Sequence, residues 1–340
     1  QKHWKIMKSI KELVLVDGSG FIFRAYYALP PMTRSDGTPV NAVFGFCNML
    51  LKLVDDIQAE KGGNVEIAVI FDAARETFRN KIYPQYKANR SEPPDDLKPQ
   101  FEIIKNIPQY FNLKSIEYQG FEADDLIATY VKQISSLGAK VTVISSDKDL
   151  MQLVSKDIRL YDPMKSKVIG EKEVLEKFGV KPNQVIDLQS LAGDSSDNIP
   201  GVPGIGIKTA AELINKYKNL DTLLKKAAEI PQNKRRETLI TNKEKALMSR
   251  KLVTLKDDVP VKDDPNSFII KEVERDILYN FLREMEFNRL LSQAISIYGE
   301  GNKIKKNDTS KKNNVSKIDV KLYRSILDEN DLEKLIKNLN

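Results

Sequence analysis

Nine acidic residues stand where a folded chain can aim them at one place: Asp17, Asp72, Glu122, Asp124, Asp125, Asp147, Asp149, Asp194 and Asp197. Asp17, Asp72 and the pair Asp147 and Asp149 each follow a short apolar run. Glu122, Asp124 and Asp125 open a helical pattern, and Asp194 and Asp197 lie in the turn G-D-S-S-D-N. One aspartate after a strand is commonly a turn or cap residue. The recurrence of all these groups in this order points instead to convergence. Like charges a few ångströms apart resist joint ionisation. Hard divalent cations relieve that repulsion, and magnesium suits sites built from carboxylates without His or Cys. Two such ions about 4 Å apart activate water and stabilise both the attacking and the leaving oxygen of a phosphodiester displacement.

The elements that must position these acids are legible as periodicity. Leu13–Val16, Ile67–Phe71 and Val141–Ile144 are continuous apolar runs, as expected of parallel strands covered on both faces. Helical patterns over 40–58 and 122–137 lie between them, with Gly138 expected as a C-cap. The alternation predicts an α/β domain with a parallel sheet, whose ligands bind beyond the carboxyl ends of the strands. From about residue 172 the pattern is helical, with helices expected over 172–179, 183–192, 208–217, 221–229, 242–252 and 274–285.

Two further segments carry binding chemistry. Residues 75–90 hold five basic residues, one acid and the rings of Phe78, Tyr83 and Tyr86. Cations meet phosphates and rings stack on bases, so the segment suits a grip on single strands or strand ends. Residues 198–209 read N-I-P-G-V-P-G-I-G-I-K-T before a helix. Gly201, Gly204 and Gly206 permit positive φ, and Lys208 and Thr209 begin a helix whose free N–H groups favour phosphate. The pattern is that of a helix-hairpin-helix, not of a Walker loop.

Composition excludes the main competitors. One cysteine, Cys47, rules out an internal disulfide or a cysteine zinc site, and one histidine, His3, leaves no histidine-based catalytic set. No apolar run reaches a membrane span and no signal-peptide pattern opens the chain, which points to a reducing cytoplasm. The net charge of +6 permits a nucleic-acid partner. Residues 1–6 read as a leader, and 299–317, with six lysines and two acids, as a flexible linker.

The motifs L-V-D-G-S-G-F-I-F-R-A-Y-Y-A-L, V-I-F-D-A, F-R-N-K-I-Y-P-Q-Y-K-A-N-R, G-F-E-A-D-D-L-I-A-T, S-S-D-K-D-L-M-Q-L and L-A-G-D-S-S-D-N-I-P-G-V-P-G-I-G-I-K-T-A resemble the 5′–3′ exonuclease (flap endonuclease) domain of bacterial DNA polymerase I over residues 8–292. The resemblance implies a PIN-like α/β nuclease over 7–172, with a helical arch around 75–100. It implies a helical subdomain over 173–298, with a helix–three-turn–helix over 190–218. It implies two or more Mg²⁺ ions, Mn²⁺ being an alternative, that hydrolyse 5′ flaps, nicked or gapped duplexes and RNA-primed ends.

Asp17, Asp72, Glu122, Asp124 and Asp125 would then form a first metal cluster, and Asp147, Asp149, Asp194 and Asp197 a second. Arg79, Tyr86, Lys87 and Arg90 match the arch. Lys87 and Arg90 would stabilise the attacked phosphate, and Arg24 matches an arginine near it. Gly201 to Thr209 would hold duplex DNA, with a K⁺ ion on backbone carbonyls. The resemblance further implies a nucleoid-associated monomer, and residues 318–340 resemble the start of a 3′–5′ exonuclease-like domain followed by a polymerase. The nearest alternative is a standalone flap endonuclease, against which the lysine linker and the tail argue; a further one is a DNA-junction binding module without catalysis, against which the complete acid set argues.

Overall fold

The computed structural model describes residues 10–61, 65–73 and 76–301. The leader 1–6 and nearly all of the linker and the 318–340 segment lie outside the described residues. Contacts divide the chain after Gly301.

The elements in chain order are β1 (Glu12–Asp17), α1 (Gly18–Ala28), α2 (Asn41–Lys61), β2 (Glu66–Ile70), α3 (Phe78–Ile82), α4 (Gln100–Tyr110), β3 (Lys114–Ile116), α5 (Ala123–Ser135), β4 (Lys140–Ile144), β5 (Ile158–Asp162) and β6 (Lys167–Ile169). A run of helices follows: α6 (Glu171–Phe178), α7 (Val185–Ala192), α8 (Ile207–Tyr217), α9 (Leu220–Lys225), α10 (Asn233–Thr241), α11 (Lys243–Val253), α12 (Arg275–Glu284) and α13 (Asn288–Tyr298).

The six strands form one sheet in the order β3-β2-β1-β4-β5-β6. All neighbours are parallel except β5 and β6, which are antiparallel. Successive residues of each central strand enter opposite cores. Leu13, Leu15, Ala68, Ile70, Val141 and Val143 pack with α5 and the helices α6 to α8. Val14, Val16, Ile67, Val69 and Ile144 pack with α1, α2, α4 and the pair α12 and α13. Burial on both faces explains why these strands read as unbroken apolar runs.

β1 lies at the centre with β2 on one side and β4 on the other. Asp17 ends β1, level with Ile70 of β2, and Val16 is level with Ile144 of β4. The chain leaves all three strands along one edge of the sheet, where a crevice opens in parallel α/β folds.

Two expectations are corrected in detail. The helix expected to reach residue 137 ends at Ser135, and Gly138 takes φ +80° three residues beyond. Among described residues, the segment expected as a helical arch contains only the five-residue α3, followed by turns.

Candidate active site

Asp17 is both the last residue of β1 and the N-cap of α1. Its Oδ1 accepts from the Gly20 N–H at 2.9 Å, and its Oδ2 from the Ser145 hydroxyl at 2.8 Å. Burial, reinforced by the negative charges of Asp147 and Asp72, pushes its carboxyl up to about 6. Asp72 lies two residues beyond β2. Its N–H donates to Ser19 Oγ at 2.8 Å, and its Oδ1 accepts from the Ala123 N–H at 2.7 Å. That last bond docks the N-terminus of α5 on the strand edge, where a helix favours negative charge.

The first turn of α5 divides its three acids between two surroundings. Glu122 caps the helix beside the segment after α3. Asp124 feels Asp147, Asp17, Asp72 and Glu122, and burial plus these charges raise its carboxyl well above the usual range. Asp125 is fully buried elsewhere, its two oxygens held by Arg79 at 2.8 and 2.7 Å. It also accepts from the N–H groups of Glu122 and Lys256. The expectation that Asp125 ligates a metal is therefore corrected: its oxygens are already occupied. Neighbours in a helix diverge by about 100°, so Asp124 and Asp125 cannot share the crevice.

The loop after β4 brings Asp147 and Asp149. The Asp147 N–H donates to Ser145 Oγ at 3.0 Å, so one serine positions both Asp17 and Asp147. Asp149 accepts from Gln189 Nε2 at 2.6 Å, yet burial and the charges of Asp147, Asp194 and Asp197 raise it to about 7. Asp194 and Asp197 come from the turn between α7 and α8, closed by paired backbone bonds between Asp194 and Ile199 at 2.9 and 2.7 Å. Burial alone would raise Asp194, but the Lys148 ammonium at 2.6 Å outweighs it and holds the carboxyl low. Gly193 and Gly201 cross in this turn. A Cβ on Gly201 would meet Gly193 N at 2.4 Å, and Gly201 adopts φ +58°.

Cations of the chain reach into the same crevice. Lys87 Nζ lies 2.8 Å from Glu122 and 3.7 Å from Asp197, and Arg90 pairs with Asp197. Burial works against the Lys87 charge, but the two carboxylates prevail and raise its pKa. Lys87 adopts φ +56°, and its N–H donates to the Asp197 carbonyl at 2.9 Å. Arg24 reaches Asp162 at 3.1 Å and lines a cavity of about 170 Å³ with Asp17, Ser145 and Asp147.

Two expected surface residues lie in the interior. Arg79 is 1% exposed and also donates to the carbonyls of Leu252 and Thr254. Tyr86 is buried with Ile199, Leu252 and Val253, its hydroxyl donating toward Glu122 and Asp197 at 3.2 and 3.3 Å. Neither offers a surface to DNA, which corrects that expectation. Tyr83 is half-buried against the same cluster. At the hairpin, Gly204 adopts φ +76°, whereas Gly206 has φ −86° and caps α8. Lys208 is exposed in the first turn of that helix, with Thr209 half-buried beside it.

Sequence reasoning missed Ser19, Ser145, Gln189 and Asp162, which orient the expected residues. Ser145 stands two residues before Asp147 in S-S-D, a weak signal; Gln189 carries none beyond its helix.

Among the described residues, no three acids converge closely enough to hold one ion by themselves. The all-oxygen donor set, crowded until three carboxyls rise, still fits a hard divalent cation, since magnesium keeps several waters in its shell.

Residues 12–179 match the family model of the 5′–3′ exonuclease N-terminal resolvase-like domain, and residues 180–276 that of the 5′–3′ exonuclease C-terminal SAM fold. The chain is 54% identical over 287 residues to a DNA polymerase I of Rhizobium leguminosarum, a match covering 84% of this chain and 28% of that protein. It is 37% identical over 289 residues to a 5′–3′ exonuclease of Aquifex aeolicus (strain VF5), covering 85% of this chain and 97% of that one. The chain thus spans under a third of the polymerase but nearly all of the exonuclease. Among solved structures, its fold is similar to the T5 D15 protein co-crystallized with metal ions, with TM-score 0.60, 23% identity, and coverage of 81% of this chain and 98% of that one. It is also similar to the catalytic core of Rad2 in complex with DNA substrate, with TM-score 0.56, 16% identity, and coverage of 85% and 91%. No helix among the described residues is long and apolar enough to cross a membrane. Two family models in tandem, over a sheet whose strand ends carry the acids of the motifs, place this chain in the 5′–3′ exonuclease family.

Proposed function

We propose that the chain is the 5′–3′ exonuclease and structure-specific flap endonuclease part of a DNA polymerase I. It would remove RNA primers and 5′ flaps by hydrolysing phosphodiester bonds, as a cytoplasmic, nucleoid-associated monomer. The observation that carries this reading is the row of carboxylates at the carboxyl edge of β1, β2 and β4, facing Lys87 and Arg90.

Asp17, Asp72, Glu122 and Asp124 would serve a first divalent ion and Asp147, Asp149, Asp194 and Asp197 a second, water completing each shell because no three of these acids converge by themselves. Magnesium, when bound, supplies a water of lowered pKa and neutralises charge on the attacked phosphate. The remaining roles belong to side chains. Glu122 and Asp197 hold Lys87 and Arg90 beside the crevice, ready to meet a phosphodiester there. Preorganised cations of this kind stabilise charge that grows in the transition state. Arg24, pinned by Asp162, would contact the same strand from the far wall. Lys208, Thr209 and the turn Gly201–Gly206 would grip the duplex backbone, with K⁺ as a further proposed ion.

Asp124→Asn tests the reading. Flap DNA should still bind, and cleavage in magnesium should be lost. A variant that cleaves like the wild type refutes the metal assignment, and a wild type that binds flaps without cleaving them makes the chain a junction-binding module.

A further inference from the structure

The acid-lined cavity has a neighbour with different chemistry. Between α1, α2 and the β5–β6 turn lies a pocket of about 290 Å³. Phe21, Phe44, Met49 and Tyr161 give it largely apolar, aromatic walls, and Asn48 and Lys52 add polar groups. Pockets that hold small organic ligands have this character: apolar walls with a few placed polar atoms.

The two cavities adjoin, because Phe21 and Arg24 line both. Arg24 stands at the boundary, held by Asp162, whose side chain is 3% exposed. One cavity therefore offers cation and carboxylate chemistry suited to a phosphodiester, and the next offers flat hydrophobic walls. A nucleotide joins those two characters covalently, its phosphate and its planar base being one sugar apart. The Asn48 amide supplies both a donor and an acceptor, as the edge of a base requires. Asp162 occupies one Nη of Arg24, and the guanidinium has five N–H donors in all, so others remain to meet a phosphate at the boundary of the two cavities.

We propose that this pocket binds an unpaired nucleobase of the scissile strand, with Arg24 meeting the adjoining phosphate. The inference rests on the nuclease reading above. It gives the α1–α2 face a role in substrate placement, because a seated base fixes which phosphodiester enters the acid crevice. Stacking on protein aromatic rings tolerates every base, so the pocket would select unpairing rather than sequence.

Ala28 and Asn48 both line the pocket and are exposed, so Ala28→Trp fills it and Asn48→Leu removes its amide without disturbing either core. Flap DNA carrying 2-aminopurine on either side of the cleaved bond reports base environment when bound without divalent ions. The wild type should change the emission at one of these positions, and Ala28→Trp should abolish that change. Ala28→Trp should raise KM roughly tenfold, as expected for loss of one stacked base, and Asn48→Leu should raise it by a smaller factor, as expected for loss of one hydrogen-bonding group. An abasic substrate should bring the wild type to the level of Ala28→Trp. Equal emission and equal KM in wild type and variants would overturn the proposal. A wild type that cleaves no flap in magnesium would overturn the nuclease reading instead, while the emission change without metal still reports on the pocket.

Discussion

Arg79 grips Asp125 through two parallel hydrogen bonds of 2.8 and 2.7 Å in an interior where both side chains are at most 1% exposed. The pair ties α3 to α5, and through the carbonyls of Leu252 and Thr254 it ties both to the end of α11. Removing one partner of a buried ion pair leaves an uncompensated charge. Arg79→Ala should cost about 3–5 kcal/mol of stability, measured by urea unfolding. If Arg79→Ala unfolds at the wild-type midpoint and only weakens DNA binding, the pair is not structural.

Asp72→Asn should behave unlike Asp125→Asn, although both residues belong to the same group of motifs. Asp72 is exposed in the crevice, so its variant should fold normally, bind flap DNA and lose cleavage. Asp125→Asn should lose stability first. Parallel unfolding and cleavage measurements separate the two, and an Asp72 variant that cleaves normally would remove it from the metal site.

Lys87→Ala should lower the single-turnover cleavage rate by roughly 10²–10³-fold, the usual effect of deleting one preorganised group that stabilises transition-state charge. It should also strengthen the affinity of the metal-free protein for magnesium, since Glu122 loses its 2.8 Å partner. Calorimetric titration checks the second effect without reference to catalysis. A wild-type rate would take Lys87 out of the proposed chemistry.

The raised carboxyls set a pH dependence. Burial, with the neighbouring carboxylates, pushes the Asp17 carboxyl up to about 6 and that of Asp149 up to about 7, both well above the usual carboxylate range. Between about pH 4 and 7 the folded state therefore binds more protons than the unfolded state, and the contribution of these groups to stability falls as pH rises. In EDTA, Tm should be lower at pH 7.5 than at pH 5. Magnesium should raise Tm most at the higher pH, where the acids are ionised and repel one another. A Tm that climbs from pH 5 to 7.5 in EDTA would contradict the crowding of the acids.

Lys208→Ala should weaken duplex binding and reduce the slope of log affinity against log salt by about 0.9, the value for one lost phosphate contact. An unchanged slope in a filter-binding series would count against α8 as the duplex grip.

The central strands were legible because burial on both faces forces unbroken apolar runs, and their following aspartates came with them. β3 and β6 have three residues each with two of them exposed, so no run announced them. α1 begins directly at Asp17 with Gly18 and Gly20, residues that signal a turn rather than a helix. Within the site, residue type carried the chemistry but not the direction of each side chain. Asp124 and Asp125 are adjacent in sequence and opposite in role, and Arg79 and Tyr86 look like solvent-facing DNA ligands until the packing of α11 against α3 encloses them. Only the fold supplies those partners.

The crossing of Gly193 and Gly201 has a consequence for where the strand is cut. Asp194 and Asp197 lie between these glycines, and Lys208 lies in the first turn of α8 just beyond them, so a hydrogen-bonded turn with crossed glycines joins the acids directly to the proposed duplex grip. Under the proposed function that turn is a ruler. Duplex held at one end sets a fixed distance to the carboxylates at the other, and the incision falls a constant number of nucleotides from the junction, whatever the sequence. A side chain at Gly201 would bend the ruler and smear the product lengths.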